Sequence, residues 1–187
     1  MLSEKLGHFL DRPLYSLAKT FDVNPNVITI TGFIVTVIAA LTLVQNLFLG
    51  GLLIILGGLF DMFDGVVARV NNRTTDFGAF LDSVLDRYSD AVLFFGFAWY
   101  FLENNSLTGV AVTIGTMIGA LIISYTRARA EGLGKTCQTG LMERTERIIL
   151  MSLGALTGLI LPIMWIMLVL THVTVIQRIL HVKKVMR

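Results

Sequence analysis

Cysteine is almost absent from this chain: Cys137 is the only one in 187 residues, so no intrachain disulfide can form. Nothing in its surroundings suggests a nucleophile, and it reads as a small residue near a loop. Charge is scarce as well, at 15% Asp, Glu, Lys and Arg, where soluble domains carry about 25%. That shortage excludes an ordinary soluble domain. The three histidines, His8, His172 and His181, are too scattered for a metal cluster and are assigned no role. Prolines number three, and no internal repeat or low-complexity tract stands out. The opening "MLSEKLGHFLDRPLYSLAKTFDVNPN" lacks a sustained apolar run and a small-residue cleavage site, so no cleavable signal peptide is expected. The net charge of +2 is small, and no nucleic-acid partner is expected.

What is present is apolar sequence. Hydrophobic residues make up 55% of the chain, and the mean hydropathy is +0.75. A membrane span needs about 20 mostly apolar residues, so the chain has room for several and little else. The expected fold is an all-α integral membrane protein, a single domain over residues 1–187. Six transmembrane helices are expected at about 27–48, 51–71, 77–102, 107–131, 141–157 and 159–182. An amphipathic interfacial helix over 1–22 is expected before them, from Leu6, Phe9, Leu10, Leu14 and Leu17 at helical spacing with Lys5, Arg12 and Lys19 among them. An ordinary packing helix would show the same pattern.

With six spans, all 15 Lys and Arg fall on one side or in the half-helices beside it. The opposite loops, "QNLFLGG", "ENNSL" and "TGLILP", carry none. The basic side faces the cytoplasm, so a multi-pass protein of the cell membrane is expected, with both termini cytoplasmic.

Against this background the stretch "DMFDGVVARVNNRTTDFGAFLDSVLDRYSD" is unusual, with six aspartates between strongly apolar runs. On a helical wheel Asp64 lies about 60° from Asp61, Gly65 about 40° and Ala68 about 20°, all on one face that Arg69 borders. On the next helix Gly78, Asp82 and Asp86 recur at intervals of four, and Ser89 extends their stripe. Measured from the "NNRTTD" turn at 1.5 Å per residue, Asp64 and Asp82 lie about 12 and 9 Å deep, and Asp61 and Asp86 both about 15 Å. Asp61 can therefore face Asp86, and Asp64 can face Asp82. Converging carboxylates in low dielectric must either protonate or hold cations. Hard divalent ions suit such oxygens, and two of them can clamp the attacking and leaving oxygens of a phosphoryl displacement. An ion or proton pathway is the competing explanation. Gly65, Ala68 and Gly78 leave room for a substrate, although small residues also serve close helix packing.

Asp61-x-x-Asp64-Gly65-x-x-Ala68-Arg69, followed after eight residues by Gly78-x-x-x-Asp82-x-x-x-Asp86, resembles the signature of the CDP-alcohol phosphotransferase family at all eight positions. The resemblance implies that a CDP-linked alcohol donates its phosphoalcohol group to an acceptor hydroxyl and that CMP leaves. Asp61, Asp64, Asp82 and Asp86 would bind two divalent cations, Mg²⁺ first and Mn²⁺ second. Asp86 would also be the general base. Gly65, Ala68, Arg69 and Gly78 would form the nucleotide pocket, with Thr74 and Asn26 as further contacts. Family members are typically homodimers, and Gly115-x-x-x-Gly119 could serve a dimer or internal packing.

A basic cluster bears on the acceptor. "SYTRARAEGLG" contributes Ser124, Arg127 and Arg129, "GLMERTERIIL" contributes Arg144 and Arg147, and Arg178 lies in the last apolar segment. Singly, such arginines mark topology or touch lipid headgroups. Around one cavity they would suit a phosphate, whose oxygens match the guanidinium fork. The pattern resembles the branch of the family that uses inositol 1-phosphate, the phosphatidylinositol phosphate and archaetidylinositol phosphate synthases. The resemblance implies that these six residues hold the acceptor phosphate. Another family member with glycerol 3-phosphate as acceptor is the alternative, and a divalent-cation transporter is the alternative of another class.

Overall fold

A computed structural model describes residues 23–186, and all of the regular structure among them is helical. The helices are α1 (Pro25–Gln45), α2 (Leu47–Val70), α3 (Asp76–Glu103), α4 (Leu107–Glu131), α5 (Arg144–Thr157) and α6 (Ile160–Val185). The interfacial helix expected over 1–22 lies outside the described residues.

Local chemistry sets the helix ends. Asn24 caps α1, accepting from the Asn26 N–H at 3.0 Å, with Pro25 in the first turn. Asn46 separates α1 from α2 and caps the latter through the Leu49 N–H at 3.0 Å. Thr75 caps α3 through the Gly78 N–H at 3.0 Å, and Ser106 caps α4 through the Gly109 N–H at 3.2 Å. Each side-chain oxygen satisfies a backbone donor that the first turn leaves free. Gly158 ends α5 in the left-handed conformation, at φ 74°.

By length and composition, α1, α2, α4 and α6 can cross a membrane. Helix α3 has 28 residues but carries Asp76, Asp82, Asp86 and Arg87 in its first half and Asp90 at its middle. Helix α5 has only 14 residues, about 21 Å at 1.5 Å per residue. It starts three residues later than the pattern suggests. Leu141–Glu143 instead completes a long loop that tertiary contacts hold in place. The Met142 N–H donates to Thr174 Oγ1 at 3.1 Å, and Arg178 Nε donates to the Thr139 carbonyl at 2.9 Å.

Packing contacts run α1–α2, α2–α5, α5–α6, α6–α4, α4–α3 and α3–α1, closing the six helices into a ring. One end of its interior is filled by Leu43, Leu93, Phe94, Phe97, Met151 and Met164, all buried. Apolar side chains such as Ile34, Leu52, Phe95, Ile118 and Val169 face outwards, the distribution that a lipid solvent favours. The Gly115-x-x-x-Gly119 stripe is used inside the chain: a Cβ on Gly119 would lie 2.5 Å from Thr171 Oγ1, and one on Gly115 2.9 Å from Leu168 Cδ1.

Candidate active site

The helices that carry the signature aspartates, α2 and α3, are consecutive, yet they do not pack tightly on one another; α1 packs against both. That leaves a cleft between them, closed at one end by the turn over 71–75. In the turn the Arg73 N–H donates to the Ala68 carbonyl at 2.9 Å, and Asn72 takes a positive φ of 52°. Asparagine tolerates that backbone better than most residues.

Carboxylate oxygens of Asp61, Asp82 and Asp86 lie within 4.8 Å of one another. Asp61 and Asp86 meet at the depth that helix geometry predicts, and Asp82 joins them. Asp64 stands apart from this trio and is 5% exposed. Its Oδ2 is buried without a hydrogen-bond partner. Three clustered carboxylates and an orphaned buried oxygen beside them fit a divalent cation, which takes oxygen ligands.

Positive charge from the protein also reaches the cluster. Arg144, in the first turn of α5, hydrogen-bonds through Nη1 to Asp61 Oδ2, and the same nitrogen lies 3.0 Å from Asp86 Oδ1. The second contact is an ion pair without hydrogen-bond alignment.

Three cavities meet at the carboxylates. The smallest, about 200 Å³, is lined by Asn26, Asp64, Gly65, Ala68, Arg69, Thr74, Gly78 and Asp82 among others. All six residues expected to contact nucleotide share it. Its floor depends on Gly78, where a Cβ would stand 3.0 Å from Thr75 Oγ1 and 3.2 Å from Asn26 Oδ1. The largest, about 890 Å³, is lined by Asp86, Ser124, Arg127, Arg144, Arg147 and Arg178 among others. A third, about 400 Å³, runs between α2 and α5 from the apolar Ile55, Leu59, Ile148 and Ile149 to Asp61, Asp86 and Arg144.

Five of the six residues expected around an acceptor phosphate therefore line one cavity. Arg129 is exposed and outside that lining, because residues two apart on a helix point about 200° apart, and Arg127 takes the inward side. The arginines are not equally available. Arg127 pairs with Glu131 at 2.9 Å near the rim. Arg178 donates to the carbonyls of Thr139 and Ile123, at 2.9 and 2.6 Å. Arg147 is 2% exposed, and its Nη2 donates to Asp90 Oδ2 at 2.5 Å. Asp90 belongs to the run of six aspartates, and sequence reasoning left it without a role. Its spacing of four from Asp86 was the available signal, since Gly78, Asp82, Asp86 and Asp90 form one continuous stripe.

A cavity of small and polar residues and a cavity of arginines, with carboxylates between them, define a site for phosphoryl chemistry on a nucleotide-linked substrate. The chain belongs to the CDP-alcohol phosphatidyltransferase family, which matches residues 22–177. It is 36% identical to the archaetidylinositol phosphate synthase of Pyrococcus horikoshii, across 98% of this chain and 97% of that one. It is 38% identical to the phosphatidylinositol phosphate synthase of Mycobacteroides abscessus, across 95% and 86%. The fold matches that of the Mycobacterium tuberculosis phosphatidylinositol phosphate synthase with CDP-DAG bound, at a TM-score of 0.85 and 33% identity over 91% of this chain and 94% of that one. It also matches the same mycobacterial enzyme in complex with manganese and citrate, at a TM-score of 0.81 and 33% identity over 92% and 88%. The chain is thus a membrane transferase, helical in its described residues, with an acidic cluster suited to a divalent metal.

Proposed function

We propose that this enzyme transfers the phosphoalcohol group of a CDP-linked lipid, phosphatidyl or archaetidyl, to a hydroxyl of inositol 1-phosphate and releases CMP. One observation carries this reading: Asp86 and Arg144 line the arginine cavity, while Asp64 and Asp82 line the small-residue cavity on the other side of the same carboxylate cluster.

The CDP head lies in the cavity of Asn26, Gly65, Ala68, Arg69, Thr74 and Gly78. A lipid tail follows the apolar groove between α2 and α5, whose Leu59 and Ile149 are exposed on the outer surface. Inositol 1-phosphate enters the arginine cavity, and Ser124, Arg127, Arg144, Arg147 and Arg178 hold its phosphate by charge-assisted hydrogen bonds. Asp86 takes the proton from the attacking hydroxyl. The hydroxyl oxygen bonds to the lipid-bearing phosphorus, the bond from that phosphorus to the CMP oxygen breaks, and CMP leaves with the electron pair. Asp61, Asp64, Asp82 and Asp86 hold two divalent cations, Mg²⁺ first and Mn²⁺ second, which neutralise the charge that develops on the pyrophosphate oxygens. Arg69 lines the cavity on the leaving-group side and adds positive charge there.

The protein crosses the cell membrane six times, with its termini and active site on the cytoplasmic side, and acts as a homodimer. The orientation is supported by the basic residues. Arg69, Arg73, Arg127, Arg129, Lys135, Arg144, Lys183 and Lys184 gather at one end of the helices, and the links at Asn46, Asn104–Ser106 and Gly158–Leu159 contain none.

The test is direct. Purified protein receives a CDP-lipid with inositol 1-phosphate, glycerol 3-phosphate or myo-inositol, and products are identified by mass. Inositol 1-phosphate should give the phosphorylated inositol lipid and CMP, with myo-inositol a poor substrate. A preference for glycerol 3-phosphate moves the enzyme to another branch of the family, and efficient use of free inositol removes the role of the arginines. Stabilisation by CMP is expected of this enzyme and not of a cation transporter.

A further inference from the structure

We propose that Asp90 is a positioning residue for the acceptor, aiming Arg147 and Arg144 into the cavity that binds the acceptor phosphate. The inference rests on the proposed phosphate-binding role of those arginines.

Asp90 lies outside the eight-position signature, one turn beyond Asp86 on α3. It is 3% exposed and is the last charged residue before the apolar run that starts at Ala91 and includes the buried Leu93 and Phe94. Its two oxygens have separate roles. Oδ2 accepts from Arg147 Nη2 at 2.5 Å. Oδ1 has no hydrogen-bond partner and lies 3.9 Å from Arg144 Nε, which is also buried without one. Asp90, Arg144 and Arg147 all line the large cavity.

A pair needed only to fill space would be replaced as well by apolar side chains of similar volume, because burying ions offsets much of their attraction. The pair here stands at the wall of a substrate cavity. A guanidinium is a rigid planar fork, so fixing one nitrogen sets where the others point. Asp90 and Asp86 share one helix, about 6 Å apart along its axis at 1.5 Å per residue. The groups that orient the acceptor phosphate and the base that meets its hydroxyl are therefore gauged from one rigid element.

Arg144 gives Asp90 a second task. Its Nη1 bonds to Asp61 and stands 3.0 Å from Asp86. Any cation that neutralises those two carboxylates weakens Arg144's hold there. Asp90 Oδ1 is the carboxylate oxygen facing its Nε, and it keeps the guanidinium at the cavity wall.

The experiment uses the full chain in detergent and the phosphorylated acceptor that the wild type prefers. Steady-state constants for both substrates and the Tm are measured for Asp90→Asn, Asp90→Glu, Arg144→Gln and Asp90→Asn/Arg144→Gln. Asp90→Asn should raise the acceptor KM about tenfold or more, with the CDP-lipid KM within about twofold of wild type. Asp90→Glu keeps the charge but moves the carboxylate by one methylene, so its acceptor KM should lie between wild type and Asp90→Asn. The double variant should show less than the product of the two single effects, because both act through one network. A lowered Tm with an unchanged acceptor KM overturns the proposal, as do both KM values rising together or fully multiplicative effects. If Asp90→Asn does not fold, Asp90→Glu decides alone: a wild-type acceptor KM overturns the proposal. The wild-type substrate profile tests the acceptor reading separately. Preference for glycerol 3-phosphate leaves the Asp90 test intact with that acceptor, and preference for unphosphorylated inositol overturns both.

Discussion

Arg144 holds the most informative position in the site. Its guanidinium reaches Asp61 and Asp86, two of the clustered carboxylates, and also lines the arginine cavity. Clustered anions in low dielectric require positive charge close by, and Arg144 supplies part of it. Cations bound at the same carboxylates compete with that guanidinium. Asp61→Asn should therefore lose Mn²⁺ binding, read by electron paramagnetic resonance of the purified protein, together with turnover. Arg144→Gln should keep Mn²⁺ binding at wild-type strength or tighter, and should lose about ten- to hundredfold in kcat/KM for the acceptor, the value of a charged hydrogen bond of about 1.5–3 kcal/mol. Weaker Mn²⁺ binding in Arg144→Gln would show that the arginine supports the metal site rather than competing with it. At this scale much was legible in advance. Asp61 and Asp86 come together because helical spacing and equal depth require it, whereas Asp82, expected about one turn shallower and opposite Asp64, joins them in the structure. Asp90 was equally visible as the next step of the stripe, but its partner Arg147 lies 57 residues away, beyond the reach of local periodicity.

Among the elements, α1 does more for the site than its few polar residues suggest. It packs against α2 and α3 and holds the cleft between them. Its contact with α3 depends on Gly96, where a Cβ would lie 2.6 Å from the Ala40 carbonyl oxygen and 2.9 Å from the Ala40 Cα. Backbone atoms cannot turn aside as a side chain can. Gly96→Ala should therefore lower thermal stability by about 1–3 kcal/mol through overpacking, seen as a reduced Tm in detergent. Protection by CMP should persist, because the nucleotide cavity lies at the other end of the helices. An unchanged Tm would mean that α1 and α3 pack less closely than described. Helix α5 shows where sequence reading stops. The sequence from Leu141 onwards, a charged flank followed by an apolar stretch, does not reveal that Met142 and Thr139 are hydrogen-bonded to α6. Those bonds keep the segment before Arg144 out of the helix and set where α5 begins.

For the whole molecule, the distribution of charge makes a topological prediction. In a Cys137→Ala background, which replaces a fully buried thiol, single cysteines at Asn104 and Gln138 occupy exposed links at opposite ends of the helices. A membrane-impermeant thiol reagent should label them from opposite faces of sealed vesicles. Labelling of both from one face would require an odd number of crossings between them to be wrong, and would displace the six-span arrangement. Helices α3 and α5 bear most on this count, since one carries several charges in its first half and the other has 14 residues. As members of the closed ring, both can place polar groups towards its interior rather than lipid.

Local chemistry by itself determined the helical class, the capped starts of the first four helices and the meeting of Asp61 with Asp86. Caps act within three residues, apolar periodicity within a turn or two, and the eight signature positions lie on two consecutive helices joined by a tight turn. The helix repeat alone also places Arg129 opposite Arg127. Only the tertiary structure decided how the arginines are spent. Arg147 is committed to Asp90, Arg178 to the carbonyls of Thr139 and Ile123, and Arg144 to the carboxylates of α2 and α3. Those partners are 39 to 83 residues distant in the chain. A guanidinium takes whichever oxygens the packed helices bring within its reach, and that depends on the ring closing.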